Sequence, residues 1–185
     1  MSVFRLSPAT AFVIILWCVF IVDAVVPGLE FWRLGIRPRR LDGLLGILAS
    51  PFVHADLNHL VANSLPLLVL PAVAGIGLSN RAILTVMIMG GLGAGIGTWI
   101  FGTSGVVIGA SGIVFALMGF LVALAFYKPN LHNILICGLC AVLYGGAIIS
   151  LFSIDHLLQQ PFVSWAAHFW GFVSGVVIAR SSRKV

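Results

Sequence analysis

Charge is what this chain has least of. Only 8% of its 185 residues are Asp, Glu, Lys or Arg, where a soluble domain carries about a quarter. With 61% hydrophobic residues and a mean hydropathy of +1.16, a soluble globule is excluded and a polytopic membrane protein of one domain, residues 1–185, is expected. Acids are especially scarce. Asp23, Glu30, Asp42, Asp56 and Asp155 all lie in loops or at the ends of apolar stretches, which excludes an intramembrane aspartyl mechanism, since that needs two carboxylates within spans. Cysteine is limited to Cys18, Cys137 and Cys140, all inside apolar stretches, so no disulfide framework follows. Cys137-Gly138-Leu139-Cys140 reads as a pair of small apolar side chains and not as a redox motif. There is no nucleotide loop, heptad array or long low-complexity segment, and the Gly-x-Gly patterns near Gly91 sit inside an apolar stretch. The net charge of +5 does not imply nucleic acid. The basic residues fall in loops and tails, where membrane orientation accounts for them.

What the chain does have is apolar length. About 20 apolar residues cross a bilayer as a helix, and six stretches qualify: Pro8–Val26, Leu57–Leu78, Ala82–Phe101, Ala110–Tyr127, Asn133–Leu151 and Val163–Ala179. The first could pass for a signal sequence, but an even helix count keeps it as a span. Pro66 and Pro71 predict a bend in the second span and not a break. Gly90, Gly91, Gly93, Gly95 and Gly97 predict close backbone approach by the third. The long loop from Pro27 to Pro51 carries Trp32, Arg33, Arg37, Arg39 and Arg40, yet also the run Leu44-Leu45-Gly46-Ile47-Leu48. It is expected to be partly embedded at the interface, with Trp32 as an anchor. Setting that loop aside, Arg5, Arg81, Lys128, Arg180, Arg183 and Lys184 all fall on one side of the membrane, which places both termini in the cytoplasm.

In that orientation spans two, four and six run from outside to inside, and each carries an unusual polar residue near its start. These are His59 and Asn63, Ser111, and His168. All four therefore lie at one depth. Span four has a small-residue stripe at Gly112, Ala116, Gly119 and Ala123, and span six has one at Gly171, Gly175 and Ala179. If these stripes face each other, the helices approach closely and Ser111 and His168 come within reach. A serine needs a base to become a nucleophile, and His168 is the candidate base and later acid. Candidate oxyanion donors are the Ser111 backbone N–H and the side chains of His59 and Asn63. No acid falls where it would orient His168, so a dyad is the economical expectation. A zincin would need His-Glu-x-x-His, and His54-Ala55-Asp56-Leu57-Asn58-His59 has neither the spacing nor the glutamate. No metal or cofactor is expected. His54 is a possible site-lining residue, while His132 and His156 are expected in loops, solvated.

Gly109-Ala110-Ser111-Gly112, His59-Leu60-Val61-Ala62-Asn63 and Ala167-His168-Phe169-Trp170-Gly171-Phe172-Val173-Ser174-Gly175 together resemble, in order and spacing, three signatures of the rhomboid family of intramembrane serine proteases. The resemblance runs from the first loop to span six. It implies an all-α, six-helix membrane bundle and a serine endopeptidase with a Ser111–His168 dyad. It also implies oxyanion contacts from His59 and Asn63, and transmembrane proteins in the lipid bilayer as substrates. The expected setting is a bacterial plasma membrane. Some bacterial members stack a tyrosine, four residues after the nucleophile, on the catalytic histidine; here that place is Phe115, which keeps the ring and loses the hydroxyl. The Trp32-Arg33 pair lies too far upstream to take the role of a Trp-Arg pair found in some members. Two other readings differ in class. A rhomboid-like pseudoprotease would bind membrane clients without cutting them, but such relatives usually lose the serine or histidine. A channel or carrier would need polar groups through the full membrane depth. The segment Phe152–Ser164, mixing Asp155, His156, Gln159 and Gln160 with Leu157, Leu158 and Phe162, is the natural cap over the site.

Overall fold

Capping chemistry places the helix starts. The structure is a computed structural model that describes residues 6–103, 105–151 and 164–181. Among the described residues the six long helices are α1 (Pro8–Val25), α2 (Leu57–Ala74), α3 (Asn80–Phe101), α4 (Ser111–Tyr127), α5 (Leu131–Ser150) and α6 (Trp165–Ser181). A helix leaves its first N–H groups without intrahelical partners, and short polar side chains satisfy them. Ser7 accepts from Thr10 N at 3.1 Å, with Pro8 in the first turn. Asp56 accepts from His59 N at 2.8 Å, Ser79 from Ala82 N at 3.2 Å, Asn130 from Asn133 N at 2.9 Å and Ser164 from Ala167 N at 3.2 Å. Only α4 lacks such a cap: Ala110 precedes it.

The architecture is all-helical among the described residues, with one isolated bridge, Ile36 to Val107. By length and composition α1, α2, α3 and α5 can each cross a membrane. Helices α4 and α6 are 17 residues each. The boundaries fall within a few residues of those expected, and α2 continues through Pro66 and Pro71. One expectation is corrected. His132 is not a solvated loop residue: the Asn130 cap starts α5 at Leu131, so His132 lies in its first turn, half-buried against Gly77. His156 and the remainder of the expected cap from Phe152 to Val163 lie outside the described residues.

Helix α4 is the central post. Every residue from Gly112 to Leu121 is buried, with Ala123 and Leu124. The two small-residue stripes do meet: a methyl group at Gly171 would overlap the Gly112 carbonyl, one at Gly175 the Ala116 carbonyl, and one at Gly119 the Phe172 carbonyl. Glycine here removes the side-chain layer and lets backbones touch. The glycines of α3 do the same work on a second front. Gly90 and Gly91 receive Ala116 and Ile113 of α4, and Gly93 and Gly97 receive Ser174 and Trp170 of α6. Helix α1 is joined to α2 by the Trp17 Nε1–H, which donates to Ser64 Oγ at 3.1 Å.

The first loop is ordered by short turns at Phe31–Leu34, Leu41–Gly43, Gly46–Ala49 and Ser50–Phe52. Ile47 packs on Gly95 of α3, while Leu41, Leu45 and Leu48 point outward with 82%, 62% and 61% of their surface exposed. Such an outward apolar face suits an element partly embedded in lipid. Asp42 binds Arg40 (2.9 Å) and Arg37 (2.8 Å), and the Arg40 guanidinium, with Arg37, holds its carboxyl down to about 2.

Candidate active site

The uncapped start of α4 is chemically open. Its helical bonds begin with Ile113 N and Val114 N, both donating to Ala110 O at 2.9 and 3.2 Å. The N–H groups of Ser111 and Gly112 precede them, at the positive end of the helix dipole. This is a place where negative charge on a ligand is stabilised. The turn that leads into it needs glycine at 109. Gly109 has φ +109°, and its N–H donates to Ser50 O at 2.9 Å.

His59 and Asn63 come to this turn, and His168 to the helix that follows it. The imidazole of His59 sits against Gly109, where a methyl group would meet its Cε1 and Nε2 at 2.6 Å. The same methyl would stand 3.7 Å from Asn63 Nδ2. Asn63 is buried, and its Nδ2 donates to His59 O at 3.0 Å, which uses one of the amide's two N–H groups. His168 stacks on Phe115, one helical turn below Ser111, with ring centroids 4.2 Å apart and planes at 18°. The Ala167 carbonyl lies beside Gly112, so the residues flanking Ser111 and His168 touch. Among the described residues no carboxylate is paired with His168, and no group of three or more His, Cys, Asp or Glu is arranged to hold a metal ion.

His54 meets His59 edge to face, at 5.0 Å between centroids, and does not bond to it. It is only 4% exposed, and both its ring nitrogens are buried. Burial, with His59 beside it, pushes the imidazole down to about 4. Two further contributors escaped the sequence reading: Asp56, whose carboxylate seats the His59 backbone, and Ser50, whose carbonyl holds Gly109. Asp56 carried a signal, an acid three residues before a helical N–H. Ser50 acts through its backbone, which leaves no composition mark.

A helical membrane bundle with a serine at an uncapped helix start, a stacked histidine on the adjoining helix and an imidazole–amide pair across the turn defines a narrow class of protein. Residues 41–184 match the Rhomboid domain. An uncharacterized protein of Mycobacterium tuberculosis is 35% identical over 177 residues, which cover 91% of this chain and 71% of that protein. One of Mycobacterium bovis gives the same figures, and one of Mycobacterium leprae is 34% identical over 158 residues, 78% of this chain and 59% of its own. The chain belongs to the rhomboid family and is an integral membrane protein.

Proposed function

We propose that this protein is an intramembrane serine protease that cleaves other membrane proteins in or beside their transmembrane segments. The observation that carries the reading is the stack of His168 on Phe115, with α4 and α6 in backbone contact at Gly112 and Gly171. It supports the reading by stacking an imidazole on the helix that Ser111 begins, one turn below the serine. In the reaction His168 takes the Ser111 proton as Oγ attacks the scissile carbonyl. The oxyanion that forms is met by the Ser111 N–H and the side chains of His59 and Asn63. His168 then protonates the leaving amine, and water, with His168 again as base, releases the acyl group and restores the serine. Six spans with both termini cytoplasmic complete the proposal, with α4 and α6 as the two short inner helices.

The test is incubation of purified protein with a panel of single-span substrates. Cleavage that disappears in Ser111→Ala, together with fluorophosphonate labelling that disappears in the same variant, is expected. Client binding without cleavage, and no labelling of the wild type, would instead identify a pseudoprotease.

A further inference from the structure

We propose that Arg39 is a positioning residue for the turn that presents Ser111, acting by bolting the first loop to the end of α3. The inference rests on the protease reading of the site above. Arg39 has φ +58° and is the one non-glycine residue with positive φ among the described residues. That region disfavours a side chain with a Cβ, so something must hold it there. The backbone is held from both directions: Arg39 N donates to Trp99 O at 2.9 Å, and Trp99 Nε1 donates back to Arg40 O at 2.9 Å. The guanidinium then donates through Nη1 to Gly102 O at 2.7 Å and Ile100 O at 3.3 Å.

Those carbonyls lie where α3 ends. A helix terminus leaves its last C=O groups without intrahelical partners and carries the negative end of the dipole. A rigid, permanently charged fork of donors can satisfy two of them at once. Glycine at 39 would adopt the backbone more easily but would remove the guanidinium from Ile100 O and Gly102 O. The observed residue accepts the unfavourable φ and gains the cap.

The consequence travels three residues to the site. Ile36 exchanges two backbone bonds with Val107, N to O at 2.8 Å and O to N at 2.9 Å. Two residues beyond Val107 is Gly109, whose N–H is held by Ser50 O in the same loop, and two beyond that is Ser111. The loop also continues through Ser50 to His54, whose ring lies against His59. The first loop is therefore a brace. One end is fixed to α3 by Arg39, and its body grips both the segment entering α4 and the segment entering α2.

Arg39→Gln and Arg39→Ala should label with fluorophosphonate about 10- to 100-fold more slowly per folded molecule, the scale expected when reacting groups are displaced by about an ångström. Cleavage of a single-span substrate should lose kcat with KM unchanged, and Arg39→Lys should recover part of it. Hydrogen exchange over residues 105–110 should quicken in Arg39→Gln. Trp17→Phe, which removes the distant tie between α1 and α2, serves as control: it should lower the melting temperature and leave labelling and exchange at 105–110 alone. Wild-type labelling by Arg39→Gln, or a labelling loss in Trp17→Phe of the same size at equal destabilisation, would overturn the proposal. If the wild type neither labels nor cleaves, the protease reading fails, and exchange over 105–110 decides the brace by itself; unchanged protection there rejects it.

Discussion

Gly109 answers to two demands at once, a backbone at φ +109° and the imidazole of His59 where a side chain would stand. Gly109→Ala should therefore destabilise the protein by about 1–3 kcal/mol and move His59 off the turn. A melting curve and a fluorophosphonate time course would both report it, the second by slowing more than the loss of folded protein explains. The four polar residues should rank by what each removes. Ser111→Ala abolishes turnover, His168→Ala comes close to it, and Asn63→Ala costs about 10²–10³ in rate while labelling slows without vanishing. His59→Ala should cost at least as much as Asn63→Ala, because its ring also fills space over Gly109. Normal cleavage by folded Asn63→Ala and His59→Ala would place the oxyanion elsewhere. His54 makes a separate prediction. Its imidazole is pushed down to about 4 from 6.5, so between those values the unfolded chain binds more protons than the folded one. Stability then rises with pH across that window and is lost as pH falls from 6.5 toward 4. His54→Phe should flatten this slope of melting temperature against pH; an unchanged slope would assign it to another group.

At the scale of the element, the decisive contact is between α4 and α6. Adding a side chain at Gly171 sets it against the Gly112 backbone, which cannot rotate away. Gly171→Val should cost toward the upper end of roughly 1–3 kcal/mol and should abolish labelling even in molecules that remain folded, since it separates Ser111 from His168. Retained labelling at a normal rate would mean that the stripe contact does not set the site. The stripes themselves were legible, because small residues at spacings of three and four mark a close helix face whatever its partner. The grip of Ile36 on Val107 and the bond from Gly109 to Ser50 were not legible. They are backbone bonds between distant segments, and any side chains would permit them. Arg39 read as one of several loop charges for the same reason: a positive φ at a non-glycine residue has no sequence signature. His132 was misplaced because a helix extends back to its cap, Asn130, and not merely to the first apolar run.

For the whole molecule, the charge distribution predicts that a cysteine placed in the C-terminal tail will resist an impermeant thiol reagent in intact cells. Ready labelling there would reverse the orientation. Among the described residues four helices are long and apolar enough to span a bilayer, and α4, one residue shorter than the shortest of them, stands at the centre. A helix of 17 residues rises about 25 Å and one of 22 residues about 33 Å, so the post at the centre is shorter than the wall beside it. Most of the large exposed apolar side chains of the long helices lie on the wall, among them Ile14, Ile21 and Val22 on α1, Ile88, Met89 and Ile96 on α3, and Leu135, Val142 and Ile149 on α5, while α4 exposes Phe126 near its end and α6 exposes Val177. Acyl chains press their preferred thickness on the surfaces they wet, through tilt or local thinning. Helix α4, enclosed by protein from Gly112 to Leu121, is scarcely wetted. A change in bilayer thickness therefore acts first on the outer helices, and α4, enclosed by protein, meets it only through them.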